Sequence, residues 1–128
     1  MEYLVGLLLA LGVCGLALLT GLDRSRSFYA TMVIVVATYY VLFAVMGAPT
    51  QALLVEIAIA GLFSVLAIVG FKKSEWLVAV MLAGHGVLDF FHGGLVANPG
   101  VPVWWPGFCM MFDLVAGAWM AILLRRRG

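Results

Sequence analysis

Apolar residues fill this chain in long uninterrupted runs, and short polar or proline-containing connections separate the runs. Each run has roughly the 20 residues that a helix needs to cross a bilayer. The predicted spans cover residues of about 3–21, 28–47, 51–71, 76–95 and 107–124. The pattern therefore predicts an all-α integral membrane protein, a five-transmembrane-helix bundle that forms a single domain over residues 1–128.

The basic residues follow the same division of the chain. All lie on one side of a five-span topology: Arg24, Arg26, Lys72, Lys73, Arg125, Arg126 and Arg127. Because basic loops stay in the cytoplasm, we expect the N-terminus outside and the C-terminus in the cytoplasm. A topology with one span more or one fewer would break this division. The expected location is the bacterial inner (cytoplasmic) membrane, with multiple passes.

Composition excludes several other classes of protein. The chain is 66% hydrophobic and 10% charged, which leaves too few polar residues to cover a soluble domain. A net charge of +1 gives no case for nucleic-acid binding, and two cysteines do not indicate a disulfide framework. The expected partner is the lipid bilayer. Small residues such as Gly6, Gly61 and Gly117 would also allow a homo-oligomer, because they let helices approach closely.

Ionisable residues inside predicted spans are the strongest functional signal, because charged groups there are costly and usually face the bundle interior. They are Glu56, His85, Asp89, His92 and Asp113. At a rise of 1.5 Å per residue, Glu56 lies about 7–8 Å below the outer surface, and Asp89 and Asp113 about 9 Å. His92 lies about 4–5 Å and His85 about 15 Å below that surface. Acids from three helices are therefore predicted to meet in the outer leaflet.

The spacing H-x3-D-x2-H places three of these side chains on one face of a single helix. Such groups, joined by acids from other helices, are typical of carboxylate metal sites in helix bundles. We therefore expect a divalent metal ion with His85, Asp89, His92, Asp113 and Glu56 as ligands. Zinc or iron is favoured, and copper or manganese is less so. Alternatively, Asp113 or Glu56 would be catalytic, as a general base toward water at the metal.

Some neighbouring residues could support the site. Cys109 lies one helical turn from Asp113 and could be a soft ligand, although a packing thiol is the more ordinary role. Tyr39 or Tyr40 reaches nearly the level of the acids and could orient an imidazole. The loop NPGVPVWWPG could be an aromatic anchor at the membrane surface or a lid over the site.

The function predicted first is a metal site that supports chemistry on a membrane-soluble small molecule, or metal handling. The same residues would also suit proton or ion transport, metal-free acid–base catalysis on a lipid, or a purely structural polar network. Whether the protein is an enzyme therefore stays open. A transporter needs polar groups that continue to the cytoplasmic side, and the inner halves of the spans offer little beyond Thr20 and Ser64.

The polar residues of the last two spans also form a longer pattern, H-x3-D-x2-H … N-P … C-x3-D. Its members are His85, Asp89, His92, Asn98–Pro99, Cys109 and Asp113. With this pattern the chain resembles a family of small bacterial integral membrane proteins whose function is uncharacterised. The resemblance implies a membrane protein, but it brings no activity with it.

Overall fold

The protein is built from helices, as a computed structural model covering residues 1–25 and 27–127 shows. The helices are α1 (Glu2–Thr20), α2 (Ser27–Gly47), α3 (Thr50–Lys73), α4 (Glu75–Leu95) and α5 (Trp105–Arg127), with a 3-10 turn over Leu22–Arg24. Within these residues there is no β-strand. All five α-helices are long and apolar enough to cross a membrane. The prediction of five helical spans is thus confirmed, and each predicted span coincides with one helix.

Local sequence explains where the helices begin and end. Helix α1 stops because Gly21 takes a left-handed conformation, with φ of 85°, and its N–H bonds the carbonyl of Ala17. Pro49 precedes the first residue of α3. Pro106 is the second residue of α5, where a missing N–H breaks no helical hydrogen bond. Extended backbone at Ser74 separates α3 from α4.

The packing order of the helices differs from their order in the chain. Helix α5 packs against both α1 and α4, whereas α2 packs against α3 and α4. Close approach of α4 and α5 depends on glycine: a Cβ atom at Gly86 would lie 2.8 Å from Leu114, and one at Gly117 would lie 2.9 Å from the Ala83 nitrogen. This close packing brings the polar face of α4 against α5.

The polar residues lie between an apolar core and a covering loop. Buried apolar side chains fill the bundle on the side of the α3–α4 connection, including Val33, Val78 and Leu82. On the opposite side, the loop of residues 96–104 joins α4 to α5. Gly100 packs so closely on the backbone carbonyl of Phe43 that a Cβ atom would not fit. The polar residues are therefore enclosed at both ends of the bundle.

Candidate metal centre

The five ionisable residues predicted to share a site are all buried. The most exposed of Glu56, His85, Asp89, His92 and Asp113 has 2% of its surface accessible. Buried groups of this kind need polar partners, because an unpaired one is costly. The structure divides these residues into two groups. The His85 cluster comprises His85, Asp89, Cys109 and Asp113, and the His92 cluster comprises Glu56, His92 and Asn98.

The His85 cluster joins one turn of α4 to one turn of α5. His85 Nδ1 lies 2.7 Å from Asp113 Oδ2 and 3.6 Å from Asp89 Oδ2. The Cys109 thiol donates a hydrogen bond of 3.4 Å to Asp113 Oδ2. Each helix supplies two side chains four residues apart, which puts both on the same helix face. One potential ligand atom from each residue lies within 4.8 Å of the others.

A tyrosine from α2 fixes the orientation of one carboxylate in this cluster. The Tyr40 hydroxyl donates a hydrogen bond of 2.6 Å to Asp89 Oδ1. The other oxygen, Asp89 Oδ2, is directed toward His85 and has no hydrogen-bond partner. Asp113 Oδ1 is also buried without one. Because buried carboxylate oxygens are normally paired, the cluster has acceptor capacity that a cation would satisfy.

Two of the spacings between donor atoms match those around a small metal ion. Zinc binds nitrogen and oxygen at about 2.0–2.2 Å and sulfur at about 2.3 Å, so tetrahedral ligands lie about 3.3–3.8 Å apart. The His85–Asp89 distance of 3.6 Å and the Cys109–Asp113 distance of 3.4 Å fall in this range. The 2.7 Å contact between His85 and Asp113 is a hydrogen bond, whose proton a metal would replace. Imidazole, thiolate and carboxylate together suit zinc or iron better than manganese.

The His92 cluster is held by a different set of contacts. His92 Nε2 lies 2.7 Å from Glu56 Oε2, which also accepts a 2.7 Å hydrogen bond from the Asn98 side-chain amide. That amide also donates to the Tyr40 carbonyl at 3.2 Å, and its oxygen accepts from the Gly100 N–H at 3.1 Å. The His92 ring stacks on the Tyr40 ring, with centroids 3.8 Å apart. The Asn98 hydrogen bonds fasten the loop to α2 and α3, and His92 links α4 to the same two helices.

The structure thus brings together only part of the predicted ligand set. His85, Asp89 and Asp113 meet, whereas His92 and Glu56 pair with each other. Cys109, for which a packing role was the ordinary expectation, lies inside the His85 cluster. One feature of the sequence pointed to this position: Cys109 precedes Asp113 by four residues, which places both side chains on the same face of α5.

The supporting residues can also be placed. Tyr40 contacts both clusters, as a hydrogen-bond donor to Asp89 and as a stacking partner of His92. Tyr39 instead packs against Phe43 and Trp105. The contact of Asn98 with Glu56 could not be predicted from residue spacing, because it depends on the path of the loop. Cys14 and Cys109 are both buried free thiols.

The fold and the site define an all-helical protein with helices suited to a membrane and a buried His/Asp/Cys group that could hold a metal ion. Comparison of the chain with protein-family models, with curated proteins and with solved structures finds no match. The resemblance to small bacterial membrane proteins therefore stays a prediction.

Proposed function

We propose that the protein is a membrane-embedded metalloprotein in which His85, Asp89, Cys109 and Asp113 bind one divalent ion, zinc or iron. The observation that carries the proposal is the convergence of four buried donor residues within 4.8 Å. Two carboxylate oxygens in this group lack a hydrogen bond. A divalent cation supplies the positive charge that buried carboxylates and a thiolate require.

The proposal includes a membrane orientation. The five helices would cross the bacterial inner membrane with the N-terminus outside and the basic connections in the cytoplasm. The metal centre then lies in the outer leaflet. Ser74→Cys and Val103→Cys test this orientation, because both positions are exposed and lie in connections on opposite sides. Membrane-impermeant thiol reagents should label them from opposite sides, and labelling from the same side would contradict the topology. The unsubstituted protein gives the background, since its two cysteines are buried.

The bound metal would act as a Lewis acid toward a polar group of a membrane-soluble substrate. The chain's own residues would position that reaction. Tyr40 holds Asp89 with one oxygen free, and Asp113 has a free oxygen that could accept a proton. The contacts of Asn98 with Glu56 and Tyr40 keep the loop over the site, which excludes water. In this proposal Glu56 would hold the loop in place through His92 and Asn98, and the catalytic role considered from the sequence stays a prediction.

The packing between the site and the proposed cytoplasmic side favours local chemistry or metal storage over transport. Val33, Val78 and Leu82 are fully buried, and Leu82 lies one helical turn from His85. These apolar side chains occupy the bundle interior between the metal centre and the proposed cytoplasmic side. A path for ions through a single chain would need polar groups along that whole region, whereas the buried Asp23 and Tyr29 lie at its end near the basic connections.

Metal content is the direct test of the proposed function. The double variant Asp89→Asn/Asp113→Asn removes both carboxylates of the His85 cluster while keeping their shapes. The matched control is Asp23→Asn, which changes a buried aspartate next to Arg127, outside the cluster. After exposure to zinc or ferrous iron and removal of excess, wild type and Asp23→Asn should retain stoichiometric metal, and the double variant should not. Wild-type protein without retained metal would overturn the proposal.

A further inference from the structure

A long apolar groove runs between α1 and α2, with α5 as its floor. It exists because, in the part of the chain described, α1 packs on α5 and does not pack along α2. The groove has a volume of about 1080 Å³, and its walls include Val5, Val13, Val35, Cys109 and Phe112. This is slightly above the usual volumes of small-molecule sites, roughly 300–1,000 Å³.

The groove reaches the proposed metal centre. Cys109 lies in its wall while its thiol bonds Asp113 on the other side. Trp105 also lines the groove, and its side chain is 8% exposed. Its indole N–H is buried and has no hydrogen-bond partner. A buried N–H donor without an acceptor is costly. An occupant whose acceptor oxygen reaches past the groove surface to the Trp105 ring nitrogen would satisfy it.

The shape of the groove restricts the occupant further. Its wall on α1 extends from Met1 to Val13, a length of about 18 Å at the helical rise. The groove opens between α1 and α2, where the lining side chains Val5, Leu9 and Val35 are exposed. Entry is therefore lateral, from the hydrocarbon between α1 and α2. The carboxylates of the His85 cluster disfavour an anionic head group, so a neutral acceptor fits better.

We propose that the groove binds a long-chain lipid-soluble molecule with a neutral carbonyl head group, such as an ester. The head lies between Trp105 and Cys109, and the chain extends toward Val13. This inference rests on the proposed function, because it names the class of substrate on which the metal at Cys109 would act. It adds a binding site with its own residues, which can be tested without any metal.

Photo-crosslinking tests the groove directly. The probe is methyl palmitate with a diazirine near the end of its chain, added to purified protein in detergent, with adducts mapped by peptide analysis. Val13→Trp fills the chain end of the groove, and Val80→Trp is the control, because Val80 is exposed on α4 outside it. Wild type and Val80→Trp should carry adducts on α1 and α2, and Val13→Trp should lose them. Adducts spread evenly over the exposed faces, or unchanged in Val13→Trp, would overturn the inference.

Trp105→Phe tests the head-group contact, since it removes the indole N–H and keeps an aromatic ring. Loss of one hydrogen bond should raise the concentration of unlabelled methyl palmitate needed for half-maximal competition about fivefold. An unchanged value would contradict a head group at Trp105. Metal content measured on the same samples separates the two proposals. Wild type that holds metal but shows no Val13-dependent labelling overturns only the groove. Metal-free wild type that still shows Val13-dependent labelling overturns only the metal centre.

Discussion

The two histidines of α4 occupy the same helix face, yet they belong to different clusters of polar side chains. Each lies 2.7 Å from a carboxylate: His85 from Asp113 on α5, and His92 from Glu56 on α3. Around His85 there are two further donor residues, Asp89 and Cys109. Around His92 the neighbouring polar group is an amide that already bonds the acid. The surroundings of each histidine therefore decide its role.

The unsatisfied oxygens sharpen this contrast. The His85 cluster has two buried carboxylate oxygens without hydrogen bonds, one from Asp89 and one from Asp113. The His92 cluster has one, Glu56 Oε1, but it offers no thiol and no second carboxylate. A metal needs several converging donors, and a helix-to-loop contact needs only a paired acid. We infer that the two histidines of α4 serve different purposes: His85 belongs to a metal centre, and His92 helps to hold the loop of residues 96–104.

The largest effect that would test this contrast is expected from Cys109→Ser. Zinc affinity should fall about 100-fold or more, because a four-ligand zinc site contributes about 10–16 kcal/mol in all. Cobalt-loaded wild type should show the near-ultraviolet charge-transfer absorption of a cobalt–thiolate bond, and the variant should lack it. Cys14→Ser is the matched control, since Cys14 is equally buried but lies in the apolar core. A thiolate band that survives in Cys109→Ser would exclude Cys109 as a ligand.

A smaller effect is expected from Tyr40→Phe, which removes the hydrogen bond to Asp89 and keeps the ring that stacks on His92. Residues that orient a metal ligand typically contribute 10–100-fold to affinity, so zinc should bind about 10–100-fold more weakly. Competition with a chelator of known affinity measures the change. Tyr39→Phe should leave the affinity unchanged, because Tyr39 packs against Phe43 and Trp105 instead. Equal losses in both variants would show that Tyr40 has no specific part in the site.

The smallest effect on metal is expected from Glu56→Gln. This change replaces the carboxylate that pairs with His92 by an amide, so stability should fall by about 1–2 kcal/mol, the range for polar contacts between membrane helices. Zinc affinity should stay within about threefold of wild type, because Glu56 is outside the His85 cluster. Thermal unfolding in detergent and chelator competition measure the two quantities. Ser64→Ala, on the same helix, controls for changes to α3. Loss of zinc in Glu56→Gln would indicate that the two clusters form a single metal site.

Much of this arrangement could be predicted from the sequence. Apolar runs of bilayer length predicted the five helices, and the helical rise predicted that Glu56, Asp89 and Asp113 would share a level. The structure buries all three, and the shared level stays a prediction. These properties depend on spacing along single helices, which a sequence shows directly.

The pairing of residues could not be predicted, because it depends on which helix faces which. The H-x3-D-x2-H spacing places His85 and His92 on one face, but it does not show that one meets α5 and the other α3. Glycines at 86 and 117 bring α4 onto α5 and so select the partner of His85. Asn98 depends on the path of a loop, for which the spacing gives no rule.

A matched pair of variants tests the central claim most directly: His85→Asn and His92→Asn, on the same face of the same helix. Both remove a buried imidazole beside a carboxylate, so both should lower thermal stability. Metal content after zinc loading should separate them, with stoichiometric zinc in wild type and His92→Asn and little in His85→Asn. Equal zinc in the two variants, whether both retain it or both lose it, would contradict the division of α4 into a metal centre and a loop contact.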